Sequence, residues 1–338
     1  MAVNFDRPTE LGKTIADIVM APVVDAANTP VVVDVGARNG IYDIPESYTR
    51  FADFVGFEPN PEEYDKLVAG NTDSMKAGNV GPRFKSYKYH PYALWSADET
   101  RTFYITAGPG ACTLMGEGRR EITDKMFRDT PKDSGGSYAY IPTVERTIPM
   151  ECRRMDHLIS GTIDYLKLDV EGAEVEVFKG AQALLDQKSI LFIKSEFLIT
   201  PYHQATPLLG HQHVLLDAAG FRLLDMDHLH ARYARGQTAI PPTSDRRLVY
   251  AGDAYFALDP DRNALGALDL QRMAAVSLAF GFNSFGVGLL RDAALLTTAE
   301  IDAVERAIAY VKPLTRMKDN WIRFPDKVAA FLQRTGLR

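Results

Sequence analysis

Two cysteines, Cys112 and Cys152, are all that 338 residues contain. That excludes a disulfide framework and a cysteine-built zinc cage, and it fits a reducing compartment. Basic residues are outnumbered, 38 Lys and Arg against 44 Asp and Glu for a net charge of −6. A negative surface repels phosphate backbones, so nucleic acid is not an expected partner. The opening residues Met1-Ala2-Val3-Asn4-Phe5-Asp6-Arg7-Pro8 lack the basic start and apolar run of a secretion signal, and the expected location is the cytoplasm. Repeats and low-complexity tracts are missing too, as are a Gly-x-Ser-x-Gly elbow, a Gly-Lys-Ser/Thr phosphate loop and a Cys-x-x-Cys pair. One uncharged run, Met273 to Leu290, has about the minimum length of a bilayer span. Gly281, Asn283, Ser284, Gly286 and Gly288 interrupt it, so it reads as a buried or oligomer-forming helical segment and no membrane span is expected.

What remains is the composition of a globular chain with a full core, 46% hydrophobic and 24% charged. Its length suits one large domain or a domain with an appendage. Three parts are expected: an N-terminal helical segment over 1–30, a ligand-binding domain over 31–260, and a helical C-terminal extension over 261–338. Within the middle part, strands alternate with helices. Val31–Val35 is a continuous apolar run of the kind a strand covered on both faces has, and Phe54–Glu58, Tyr87–Leu94, Arg101–Thr106 and Ile190–Phe197 read as further strands. The alternation predicts a doubly wound, mostly parallel sheet of seven strands. One helix is expected from about Ala173 to Leu185. A polar insertion at 108–136, with Arg119, Arg120, Lys125, Arg128 and Lys132, is too long for an ordinary connection and reads as a lid over the acceptor.

Three motifs carry chemistry. In Asp34-Val35-Gly36-Ala37-Arg38-Asn39-Gly40, a glycine just past a strand lets the backbone approach a ligand, and a second is expected to open a helix whose N–H groups receive an anion. Glu58 ends the next strand, where an α/β nucleotide fold places its ribose-binding carboxylate. Finally, Asp169, Glu171 and Glu174 follow Ile163–Leu168, at the sheet edge where doubly wound folds bind ligands; helix-dipole capping accounts for part of that acidity.

These pieces resemble the FkbM family of S-adenosylmethionine-dependent methyltransferases. Val31-Val32-Val33-Asp34-Val35-Gly36-Ala37-Arg38-Asn39-Gly40 and Val55-Gly56-Phe57-Glu58-Pro59-Asn60-Pro61 match, and Asp164-Tyr165-Leu166-Lys167-Leu168-Asp169-Val170-Glu171-Gly172-Ala173-Glu174 is the most specific match. The resemblance covers approximately Pro30 to Pro260. It implies a Rossmann-like class I methyltransferase fold with S-adenosylmethionine as cofactor. The cofactor's methionine end then lies over Asp34, Gly36, Ala37, Asn39 and Gly40, its ribose on Glu58 beside Pro59, and its adenine near Tyr92, Ala93 and Leu94. Its ammonium suits Asp34 or Asp169.

Methyl transfer needs alignment of the acceptor and a base for its proton, and Glu171, Glu196 and His203 are the candidates. The expected acceptor is a hydroxyl of a small molecule or carbohydrate. Asp169, Glu171 and Glu196 would also suit Mg²⁺, whereas His228 and His230 with Asp225 and Asp227 match no zinc signature, so no metal is assigned. Two rivals stand beside this reading: a nicotinamide-dependent oxidoreductase, weakened by the missing third glycine, and a non-catalytic methyltransferase-like scaffold. A homo-oligomer through the C-terminal helices is the expected assembly.

Overall fold

The computed structural model describes residues 10–25, 28–118, 143–201, 203, 206–232 and 248–309. The basic residues Arg119, Arg120, Lys125, Arg128 and Lys132, on which the lid reading rests, lie outside the described residues.

Among the described residues ten strands form two sheets: β1 Val31–Val35, β2 Asp53–Phe57, β3 Ser86–His90, β4 Ala93–Leu94, β5 Glu99–Thr106, β6 Val144–Arg153, β7 Ile163–Leu168, β8 Ile190–Leu198, β9 Phe221–Arg232 and β10 Leu248–Leu258. The main sheet runs β3-β2-β1-β7-β8-β10-β9. Its first five strands are parallel, and β10 runs antiparallel to both β8 and β9. The expected strand Arg101–Thr106 forms, as part of β5, but it belongs to the second sheet, β4-β6-β5. The expected strand Tyr87–Leu94 is cut in two by Pro91, which has no N–H to give a ladder, and its second half pairs with β6.

Side chains alternate along β8 and bind a different layer on each face. Phe192 stacks on Phe280 at 5.6 Å, while Ser195 Oγ donates to Gln212 Oε1 of the helix Leu209–Ala218 at 3.1 Å. Helices therefore cover both faces. The uncharged run Met273 to Leu290 proves to be two helices, Ala267–Ala279 and Asn283–Ala293, separated at Gly281, whose φ of 84° favours glycine. Among the described residues no helix is long and apolar enough to cross a membrane. The first of these helices is fastened to the sheet by a buried ion pair between Arg272 and Asp164 of β7, and Asp164 also accepts the Val31 N–H at 2.7 Å. The expected single helix from Ala173 is two short ones, Glu174–Gly180 and Gln182–Asp186.

Candidate active site

The chain leaves β1 toward β2 on one side and returns to pair β7 on the other, so the order reverses between β1 and β7. At such a point the loops after the strands splay and leave a crevice. Here the crevice is part of a cleft of about 2110 Å³. Gly36 follows β1 and Asp169 follows β7, and they meet: a Cβ on Gly36 would lie 1.9 Å from the Asp169 carbonyl oxygen, and the Gly36 φ is +86°. Only glycine satisfies both conditions. The Gly36 and Ala37 N–H groups donate to the Phe57 carbonyl at 3.0 Å, binding the turn to the end of β2.

Beyond the turn the structure departs from expectation. Asn39 and Gly40 both take left-handed backbone, φ 68° and 83°, and the chain then runs without helix until Glu46–Thr49. Two successive left-handed residues break the helical path, so the anticipated anion-binding helix start at Gly40 is absent. Gly36, Asn39 and Gly40 line the cleft; Asp34 and Ala37 are wholly buried and do not. Asp34 already has its cation: Lys167 Nζ donates to Asp34 Oδ1 at 3.1 Å and lies 3.5 Å from Asp169 Oδ2. Burial pushes the Asp34 carboxyl up to about 6 despite this lysine. Of the two carboxylates proposed for a ligand ammonium, Asp169 is the one in the cleft, with its side chain 48% exposed.

Glu58 extends past β2, its N–H donating to the His90 carbonyl at 3.0 Å. It is 5% exposed and lines the cleft with Pro59. One oxygen, Oε1, accepts the Asn60 N–H at 2.8 Å. Burial pushes this carboxyl up to about 7, against the pull of that N–H. Tyr92, Ala93 and Leu94 line the same cleft.

Asp169, Glu171 and Glu196 come together from the ends of β7 and β8, each offering an oxygen within 4.8 Å of the others. Burial, and then neighbouring carboxylates, hold Glu171 and Glu196 well above the usual range. Such a group can accept a proton or, with oxygen ligands this close, face a divalent cation. Glu174, read as a dipole-favoured first-turn residue, does more: its Oε1 accepts the Val170 and Gly172 N–H groups at 3.1 and 3.3 Å, shaping the loop that carries Glu171. His203 stands apart. It is 4% exposed and outside the cleft lining, and burial holds its imidazole below the ordinary value.

Sequence reasoning missed several residues here. Lys167 and Lys194 interrupt apolar strands, a signal that each needs partners; Lys194 Nζ lies 2.9 Å from Asp43 and 3.1 Å from Asp253, all three in the cleft wall. Thr113 gave no signal, being one threonine within a segment read as a lid. The side chains of His228 and His230 lie outside the described residues.

A family model, the methyltransferase FkbM domain, matches residues 34–223. No curated protein sequence matches the chain. Among solved structures, the methyltransferase FkbM of Methylobacillus flagellatus KT is 15% identical, with 68% of this chain and 44% of that one covered and a TM-score of 0.34. The chain thus spans less than half of that protein. Magnesium protoporphyrin IX methyltransferase of Synechocystis PCC 6803, with S-adenosylmethionine bound, is 10% identical, with 74% and 80% covered and a TM-score of 0.30. Its form with S-adenosylhomocysteine gives 9%, 74%, 84% and 0.30.

Proposed function

The chain belongs to the FkbM methyltransferase family, and from that premise we propose that it methylates a hydroxyl of a small-molecule or carbohydrate acceptor. S-adenosylmethionine is the methyl donor; when bound, it supplies an electrophilic methyl group on a sulfonium sulfur. The observation that carries the reading is the placement of Glu58, Gly36 and the three carboxylates of Asp169, Glu171 and Glu196 in one cleft at the sheet's reversal point.

The donor set fits the cofactor. Gly36 gives a turn with no side chain to obstruct it, Asp169 a carboxylate for the ammonium, and Glu58 an oxygen beyond the one held by Asn60 for the ribose hydroxyls. Tyr92, Ala93 and Leu94 offer a wall for the adenine. Lys167 keeps Asp34 and Asp169 in register across β1 and β7.

On the acceptor side, Glu171 or Glu196 receives the hydroxyl proton as the oxygen becomes an ether. Burial and crowding raise the proton affinity of both, which strengthens either as a proton acceptor. His203 is the less favoured base, since it does not line the cleft.

Incubating the protein with methyl-labelled S-adenosylmethionine and extract of its source organism, followed by mass spectrometry, tests the proposal. Label on an oxygen of a small molecule or sugar is expected. Label on nitrogen, carbon or a macromolecule would overturn the hydroxyl assignment.

A further inference from the structure

We propose that Thr113 is a positioning residue for this reaction, holding the backbone of Glu171 so that its carboxylate stays beside Asp169 and Glu196. The inference rests on the methyltransferase reading above.

Thr113 lies beside the small sheet, outside its strands, in an isolated antiparallel bridge to the edge strand β5. It is 2% exposed and is tied to Tyr104 of β5 by two backbone bonds, Tyr104 N–H to the Thr113 carbonyl at 2.9 Å and the reverse at 3.2 Å. Its hydroxyl donates to the Glu171 carbonyl oxygen at 2.9 Å and accepts the Met115 N–H at 3.0 Å. The hydroxyl has one proton, and it is committed to Glu171.

Glu171 needs such a restraint. Its φ is 55°, in the left-handed region, which is strained for a residue with a side chain. Gly172 follows at φ 97°, and a Cβ there would stand 3.0 Å from Thr206 Cγ2 and 3.5 Å from Met115 Cγ. Glu174 fixes the N–H groups on either side, at Val170 and Gly172. Among the described residues, the hydrogen bond to Glu171's own backbone comes from Thr113. Three carboxylates within 4.8 Å repel one another when ionised, so this loop would relax outward if its ties were cut. Thr113 opposes that relaxation from its place bridged to the edge of β5, and it lines the same cleft.

Thr113→Val keeps the shape and removes the hydroxyl; Thr113→Ser restores it; Glu171→Gln removes the carboxylate. The readouts are label transfer from methyl-labelled S-adenosylmethionine into the acceptor fraction of the source extract, followed across pH, and calorimetry with S-adenosylhomocysteine. Thr113→Val is expected to slow transfer about tenfold or more, as misplacement of a reacting group does. Its acid limb moves to lower pH, because a Glu171 carboxyl drifting from its neighbours ionises more readily. Affinity for S-adenosylhomocysteine stays unchanged, and Thr113→Ser recovers the rate. Should Thr113→Val fail to fold, Thr113→Ala gives the same comparison. A Thr113→Val enzyme with wild-type rate and acid limb overturns the proposal, as does a Thr113→Ser enzyme no faster than it. If Glu171→Gln is also fully active, Thr113 has nothing to position and the proposal falls, while cofactor binding stands. Failure of the wild-type protein to bind S-adenosylhomocysteine defeats the methyltransferase reading itself, and this proposal with it.

Discussion

Lys167 and Asp34 are joined by a 3.1 Å contact between Nζ and Oδ1 on adjacent parallel strands, and the same ammonium lies 3.5 Å from Asp169. Asp34 is wholly buried, so this lysine is a condition of its charge. Removing one member of a buried pair leaves the other uncompensated, which costs about 3–5 kcal/mol. Lys167→Met is therefore expected to lower stability by that order in denaturant unfolding, and Lys167→Met with Asp34→Leu to recover much of it. A single variant as stable as wild type would mean the pair does not hold the strand ends.

Glu58 gives a pH dependence of the opposite kind to a salt-bridged acid. Burial raises its folded value from 4.5 to about 7, so the native state holds a proton that the unfolded chain releases. The penalty is absent below pH 4.5, grows as pH rises and is complete above about 7. Glu58→Gln is expected to gain roughly 3 kcal/mol of stability at pH 8 and almost nothing at pH 4. Thermal unfolding at the two pH values checks this, and equal shifts at both would refute it.

Both Glu171 and Glu196 are held above the usual carboxylate range by burial and then by neighbouring carboxylates, Asp169 and Glu174 among them. A base must be ionised to act, so turnover climbs with pH through that raised range. Glu196→Gln and Glu171→Gln are each tested for kcat and for the acid limb. The variant that removes the base loses about 10²-fold or more in kcat together with the limb. If neither moves the limb, the base is elsewhere.

The strand and turn chemistry was legible in the sequence where it depended on near neighbours. Val31–Val35 reads as a doubly covered strand because four of its five residues are valines, and Glu58 can be placed because β2 ends there. Distant contacts were not legible. That Arg101–Thr106 joins a separate sheet depends on pairing with Val144–Arg153, some forty residues away. That Lys167 sits 3.1 Å from Asp34 and 3.5 Å from Asp169 depends on β1 lying beside β7. The helix expected at Gly40 failed because left-handed Asn39 looks the same in a sequence as a helical asparagine. Thr113 was invisible because its partner is a carbonyl 58 residues on.

Arg272 shows how the later helices support the site. Its guanidinium holds Asp164, which in turn accepts the Val31 N–H at the start of β1. Arg272→Met strands a wholly buried carboxylate and is expected to cost about 3–5 kcal/mol. The check is denaturant unfolding of that variant beside Arg272→Met with Asp164→Leu, which should be the more stable of the two. The reverse order would show that the helix packs without this pair.

The central claim is that Glu58 and the Gly36 turn together hold the adenosyl cofactor. Isothermal titration of S-adenosylhomocysteine into the wild-type protein and Glu58→Ala at pH 8 addresses it most directly. The account predicts saturable one-to-one binding by the wild type and a loss on the order of 1.5–3 kcal/mol in the variant, as for a hydrogen bond to a charged group. Wild-type binding that Glu58→Ala leaves untouched, or no heat from either protein at millimolar ligand, would contradict it.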